Sequence, residues 1–258
     1  MGIVERLVPD ELWKLFQRVV PEAPTRVRRV VGLHVAAVAV RLVRAVGATA
    51  HRRFTEWSKA RVWAKLHRLV LDELGFRREL DWSRCAIDSV NMRALKKGEV
   101  TGPNPVDRGK YGSKIHLITE RTGLPLSVGI SGANLHDSQA LVPLVQGIPP
   151  IRSRRGRRRR RPGKLHGNKG CDYNHLRRWL RSRGITPRLA RKGKDSSQRL
   201  GQHRWAIERT MAWLGGCRRP HRRYERKASH FLASVSIACT LICYRRLTST
   251  DDLQDASA

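Results

Sequence analysis

The clearest apolar periodicity lies late in the chain, in residues 201–226. Read as a helix, Ile207, Met211 and Leu214 fall at i, i+4 and i+7 and form a core-facing stripe. Trp205, Glu208 and Ala212 make a second row beside it, so Glu208 stands at the edge of the apolar face. Residues 9–20 carry an amphipathic helical pattern stopped before Pro21. Residues 50–74 carry another, through Phe54, Trp57, Val62, Trp63, Leu66, Leu69, Val70 and Leu74, ended by Gly75. Between them, residues 26–50 show no clean period and contain neither an acid nor an aromatic residue.

From residue 84 the texture changes to short apolar runs. Residues 84–90 predict a strand with Asp88 in its C-terminal half. Residues 113–120 alternate, Arg121 to Gly123 turn, and 124–131 run back, which predicts a β-hairpin. A helix is expected over 137–146, opened by His136-Asp137-Ser138 and ended by Gly147. A strand at 163–167, a helix from about 174 to 183, a strand at 186–190 and the helix bearing Glu208 follow. Trp179 and Trp213 sit at helical core spacing and are expected to pack. Residues 228–244 come nearest to a membrane span. They are slightly short and carry His230, Ser234, Ser236 and Thr240, so a buried C-terminal helix is expected and no membrane partner.

This order predicts an α/β fold with a ribonuclease H-like core: a mixed sheet with an antiparallel start and flanking helices. The expected division is a helical N-terminal region at 1–80, the α/β domain at 81–247 and a disordered tail at 248–258.

Charge narrows the function. Lys and Arg number 53 against 21 Asp and Glu, a formal net charge of +32. Such a charge opposes compaction unless a polyanion neutralises it, so nucleic acid is the expected partner. The excess of arginine over lysine suits bidentate phosphate contacts, or else reflects a GC-rich genome. Residues 152–161 are nearly all arginine and are expected as a solvated loop that cannot pack. The five cysteines include no Cys-x-x-Cys pair, and no signal peptide is evident, so a reducing cytoplasm is expected.

Single residues leave alternatives open. Glu208, among Arg204, Arg209, Arg218, Arg219, Arg222 and Arg223, is either salt-bridged or a metal-binding carboxylate. His116 and His136 either satisfy core and capping hydrogen bonds or line a site, and Asn134 and Asp137 either cap the next helix or join that site. Lys169 is a solvated cation or a phosphate contact.

Together, Ala86-Ile-Asp-Ser89, Gly109-Lys-Tyr-Gly-Ser-Lys-Ile-His116, Asn134-Leu-His-Asp137, Lys164-Leu-His-Gly-Asn-Lys-Gly-Cys-Asp172, His203-Arg-Trp-Ala-Ile-Glu-Arg209 and Arg222-Arg-Tyr-Glu225 resemble the DDE transposases of bacterial insertion sequences, in the group named after insertion sequence five. The resemblance covers residues 50–247 in order and spacing. It implies binding to double-stranded DNA, both element ends and target, with cleavage and strand transfer catalysed by a homo-oligomer on DNA. It also implies two Mg²⁺ or Mn²⁺ ions held by three acids. The family pattern places the first acid at Asp88 and the third at Glu208, with the second at position 168. Here that position is Asn168, and Cys171 stands where the family usually has Tyr. Asn supplies an amide oxygen without charge, so metal binding and activity are expected to be impaired. Asp172, four residues on, is not expected to substitute. DNA contacts are expected from Lys110, Lys114, Arg157, Arg158, Arg159, Arg160, Lys169, Arg204, Arg209, Arg222 and Arg223.

The acid-free run at 26–50 reads as an out-of-frame stretch within a degenerate copy. A non-catalytic DNA-binding protein is the second reading. A ribosomal or RNA-binding protein is the third, though it leaves the Asp88 and Glu208 contexts unexplained.

Overall fold

The computed structural model describes residues 9–21, 47–194 and 197–255. The out-of-frame expectation for 26–50 therefore lies, up to residue 46, outside the described residues, while residues 47–50 open a helix.

Helix α1 (Asp10–Gln17) buries Leu12 and Phe16, one turn apart. The pattern over 50–74 resolves into two helices, α2 (Gly47–Lys59) and α3 (Val62–Phe76). They break at Arg61, whose φ of 55° lies in the left-handed region. The break has a packing reason. In one continuous helix Trp57 and Trp63 would point about 120° apart. Here their rings meet edge to face at 5.8 Å, and both contact Phe16 of α1. Gly75, expected as a helix stop, lies inside α3. A Cβ there would come within 2.2 Å of the Arg152 carbonyl oxygen, so the glycine permits close approach of the 152 segment.

The sheet is built on strand β1 (Cys85–Arg93). Strand β2 (Gly102–Pro103) pairs only with the start of β3 (Tyr111–Glu120), and β3 turns back into β4 (Pro125–Gly132). Strands β1, β3 and β4 are antiparallel neighbours. On the other edge of β1, β5 (Lys164–Gly167) and then β6 (Thr186–Leu189) run parallel to it. The sheet order is β2-β3-β1-β5-β6, with β4 also on β3. An antiparallel hairpin beside a parallel β1-β5-β6 set is the expected ribonuclease H-like arrangement. Helices α4 (Ser138–Gly147) and α5 (Asn174–Ser182) connect the strands. Helices α6 (Ser197–Gly216) and α7 (Ala228–Asp255) complete the fold.

Strand alternation sorts the core into two faces. Ala86, Met92, Ile115 and Leu117 pack under Ile207, Met211 and Leu214 of α6, with Phe231 and Val235 of α7. Cys85, Ile87, Ile118 and Leu126 face the other way, against Leu71 and Leu74 of α3, Leu141 and Leu144 of α4, and Leu176 and Leu180 of α5.

Three expectations change. The N-terminal helices share one hydrophobic cluster with the sheet and with Cys243, Tyr244 and Leu247 of α7, so packing shows no seam at residue 80. Helix α7 continues to Asp255, so residues 248–255 are helical in place of the disordered tail expected at 248–258, and residues 256–258 lie outside the described residues. The arginine-rich loop is anchored as well as exposed: Ile151 and Arg159 bridge, Arg158 grips both carboxylate oxygens of Asp72 at 2.9 Å, and Arg160 donates to the Gln146 carbonyl. Its guanidinium groups find acceptors on neighbouring segments, which a loop of apolar residues could not do. Helix α7 is long and apolar enough over Ala228–Ser249 to cross a membrane, but 61% of its most apolar window is buried in the protein.

Because α3 is part of the sheet's own core, Leu71→Ala should destabilise the whole unit by about 2–5 kcal/mol. Thermal unfolding followed by far-UV and near-UV circular dichroism should remain one coincident transition. Two separated transitions would restore the division at residue 80.

Candidate active site

Asp88 lies on the face of β1 that meets α6, with its side chain only 14% exposed. Arg204 of α6 donates from Nη2 to Asp88 Oδ2 at 2.5 Å. The same guanidinium stands 4.0 Å from Oε1 of Glu208, one helical turn further on. One arginine thus gathers two carboxylates that are 120 residues apart in sequence. Burial pushes the Asp88 carboxyl above the usual value, opposed by Arg204 and by the Ser89 N–H on Oδ1, while Glu208 reinforces the rise. Glu208 is open to solvent at 54% exposure, and at 4.0 Å its ion pair is weak.

Asn168 is the first residue beyond β5. The parallel register that sets Ala86 beside His166 carries the chain end of β5 alongside Asp88. Asn168 Oδ1 accepts the Gly170 N–H at 2.9 Å and so caps the short 3₁₀ turn Lys169–Cys171. Asp172 is committed elsewhere. Arg177 donates to one oxygen at 2.7 Å and the Lys192 N–H to the other at 2.9 Å, and these bonds hold its carboxyl below the usual range.

A third acid stands close by. Asp137 opens α4 but makes no side-chain cap bond. It receives Lys114 Nζ at 2.9 Å, and Lys114 also donates to the Leu135 carbonyl. Burial would raise the Asp137 carboxyl, but hydrogen bonds from Lys114 and Ser89, with the Lys114 and His116 charges, hold it below the usual value. A Cβ on Gly170 would meet Asn168 Oδ1 at 2.9 Å and Asp137 Cβ at 3.9 Å, so these side chains are neighbours. The Cys171 thiol, pushed up to about 12 by burial, also feels the Asp137 and Asp88 carboxylates. Asp137 was legible in sequence only as a cap or site residue. Its pairing with Lys114 is set by the β3-β4 hairpin.

The histidines divide. His116 is buried, joined to Ser131 Oγ at 2.7 Å and pushed down to about 4 by burial. His136 is exposed, bonded to Ser138 Oγ at 2.8 Å, with its ring edge-on to Tyr173.

The basic residues expected on DNA also divide. Lys110, Lys169, Arg222 and Arg157–Arg160 are exposed, although Arg158 and Arg160 also hold the loop in place. Lys114 is occupied by Asp137 and Arg204 by Asp88. Arg223 is a correction. It is fully buried, and its guanidinium donates to the Glu99, Val100, Glu225 and Arg226 carbonyls and to Ser113 Oγ. It ties the segment after β1 to the start of α7 and cannot reach a phosphate. Trp213 corrects the packing expectation too, being 45% exposed, whereas Trp179 packs against the core.

The antiparallel hairpin beside a parallel set, with Asp88 on the central strand, defines the class of an α/β fold with a ribonuclease H-like arrangement. Residues 81–243 match the family described as transposase DDE domain, well over half of the chain, and the protein belongs to that family, the DDE transposases of bacterial insertion sequences. A putative transposase for insertion sequence element IS402 of Burkholderia cepacia is 43% identical over 151 residues, 58% of this chain and 72% of that protein. An uncharacterised 16.2 kDa protein of IS402 from the same organism is 41% identical over 59 residues, 23% of this chain and 40% of that protein. The crystal structure of the Mos1 strand transfer complex superimposes over 91% of this chain and 77% of its own at 10% identity, with a TM-score of 0.28, too loose to bear weight.

DDE transposases generally use divalent metals. Among the described residues no group of three or more His, Cys, Asp or Glu is disposed to hold one. Asp88 and Glu208, both beside Arg204, would offer hard oxygen donors, and Asn168, whose Oδ1 accepts the Gly170 N–H, would add a neutral one. The donor set suits Mg²⁺ or Mn²⁺ in kind and is one charge short.

Replacing Lys114 by Met should leave Asp137 half-buried without its cation, at a cost of about 2 kcal/mol near neutral pH. The folded Asp137 carboxyl is held below its ordinary 3.8, so the stability it lends is present above that value and is lost as pH falls through the folded value. The gap between wild type and Lys114→Met in urea titrations should therefore shrink in acid. A gap independent of pH would detach Asp137 from Lys114.

Proposed function

We propose that this chain is an insertion-sequence transposase that binds the ends of its element as duplex DNA, with a cleavage and strand-transfer site weakened by Asn168. The observation that carries the reading is the convergence of Asp88 and Glu208 on Arg204, with Asn168 at the strand end beside Asp88. Asp88 and Glu208 would hold the divalent ions. When bound, these would stabilise the attacking and leaving oxygens of an in-line displacement at phosphorus. Arg204 does two things in this scheme. It neutralises Asp88 within the half-buried site, and its exchange for a harder cation would free the guanidinium for a phosphate oxygen. Asn168 keeps its capping bond but contributes no charge. The protein would act in the cytoplasm as a homo-oligomer assembled on DNA.

The commitment of Asn168 to a cap and of Arg204 to Asp88 favours a second reading, a non-catalytic DNA-binding derivative. Asn168→Asp separates the two. An aspartate can keep the Gly170 bond while restoring the missing negative oxygen ligand. With Mg²⁺ or Mn²⁺ and supercoiled plasmid, nicking should be near background for the wild type and rise for Asn168→Asp. It should fall again when Asp88→Ala or Glu208→Gln is added. Strong wild-type nicking that survives Asp88→Ala would place the site elsewhere. No gain from Asn168→Asp, with duplex binding intact, would favour the second reading.

Duplex affinity should also fall steeply with salt, because each arginine–phosphate contact releases counterions. About six contacts would give a slope of log K against log salt near −5. A flat dependence would remove the electrostatic basis of binding.

A further inference from the structure

The face of α6 beside Glu208 carries a feature that the proposed cleavage site does not use. Trp205 and Trp213 are 51% and 45% exposed, unusual for the largest aromatic side chain. Arg209 lies between them, its guanidinium carbon 4.6 Å from the Trp205 ring centre and 4.7 Å from that of Trp213. These three residues follow at i, i+4 and i+8, so they form one ladder along the helix. Arg209 is fixed from behind by donating to the Thr122 carbonyl at 2.6 Å, and its Nε is buried without a hydrogen-bond partner. The ladder forms one wall of a groove of about 1130 Å³ between α6 and α7. Leu241 is on the apolar side, arginines 84, 121, 245 and 246 stand around it, and no acid lines it. Arg121 and Arg246 reach Asp81 and Glu79, which offsets part of that charge without reversing its sign.

Two exposed indoles in an arginine-lined groove mark a binding surface. Charge decides its occupant. A second copy of this chain carries a net charge of +32, and residues 26–46 contain arginine but no acid, so either would meet like charge. A polyanion with flat faces meets both demands. Duplex DNA offers phosphates but keeps its base faces stacked inside, whereas unpaired nucleotides offer both. We propose that this groove holds unpaired nucleotides of DNA, with bases stacked on Trp205 and Trp213 and phosphates on the surrounding arginines. The strand would then lie beside Glu208, since Trp205 and Arg209 flank it on the same helix. The inference rests on the DNA reading above and goes beyond it by assigning a separate single-strand subsite.

The test is binding by the full chain without divalent metal, measured by fluorescence anisotropy. The probes are a blunt duplex and the same duplex bearing a short single-stranded tail. The tailed duplex should bind about fivefold or more tightly, and should quench the intrinsic tryptophan fluorescence more than the blunt one. Trp205→Ala and Trp213→Ala should each remove most of that advantage and leave blunt-duplex affinity unchanged. Trp205→Phe, which keeps a flat ring, should retain most of it. Equal binding and equal quenching by the two probes would overturn the subsite. If both still bind, the transposase reading stands; if neither binds, it falls as well. Variants that keep the tail advantage but sediment as a smaller species would overturn the subsite too, and make this face a subunit contact.

Discussion

The structure depends on the register of β1. Its antiparallel pairing with β3 sets Asp88 opposite Leu117, and its parallel pairing with β5 sets Ala86 beside His166. Because side chains alternate, a shift of one residue would turn Asp88 away from α6 and into the apolar cluster on the other face. Hydrophobic burial on both faces therefore fixes where the acid points. The same register brings the end of β5, and with it Asn168, to the acid's side.

The second constraint is polar. Arg223 occupies the interior with its donors aimed at carbonyls on two segments of chain and at the Ser113 hydroxyl, and with its guanidinium over the Phe231 ring. A buried guanidinium is tolerated only when its hydrogen bonds are made, and here they are made largely by backbone. That clamp fixes the path from the strap after β1 to the start of α7. Helix α7 in turn packs on α6, so the position of Glu208 is secured partly by a residue that never approaches it.

Around the acids, charge is arranged in two clusters on opposite faces of the sheet. Arg204 with Asp88 and Glu208 lies under α6, and Lys114 with Asp137 lies under α4. Asp88 and Asp137 each have a cation beside them, whereas the buried Glu120 is held instead by the N–H groups of Asp81, Thr122 and Leu124 and by the Thr122 hydroxyl.

The sequence by itself determined the strand carrying Asp88, the hairpin, the helix with Ile207, Met211 and Leu214 inward, and the class of fold that these make in that order. These were legible because period-2 and period-3.6 apolar spacing are local consequences of burial. Through the family resemblance it also marked Asn168 and Cys171 as departures from the motif. Tertiary structure alone decided the rest. Arg204 and Arg223 are both arginines among arginines, yet one bridges two acids and the other is a buried clamp. Trp213, spaced for the core, faces solvent over Arg209. Residues 47–76 join the sheet's own core because apolar side chains from distant segments close on the same volume. Long-range partners choose among residues of identical local pattern, since burial and ion pairing act through space, and no spacing along the chain records which cation will meet which carboxylate.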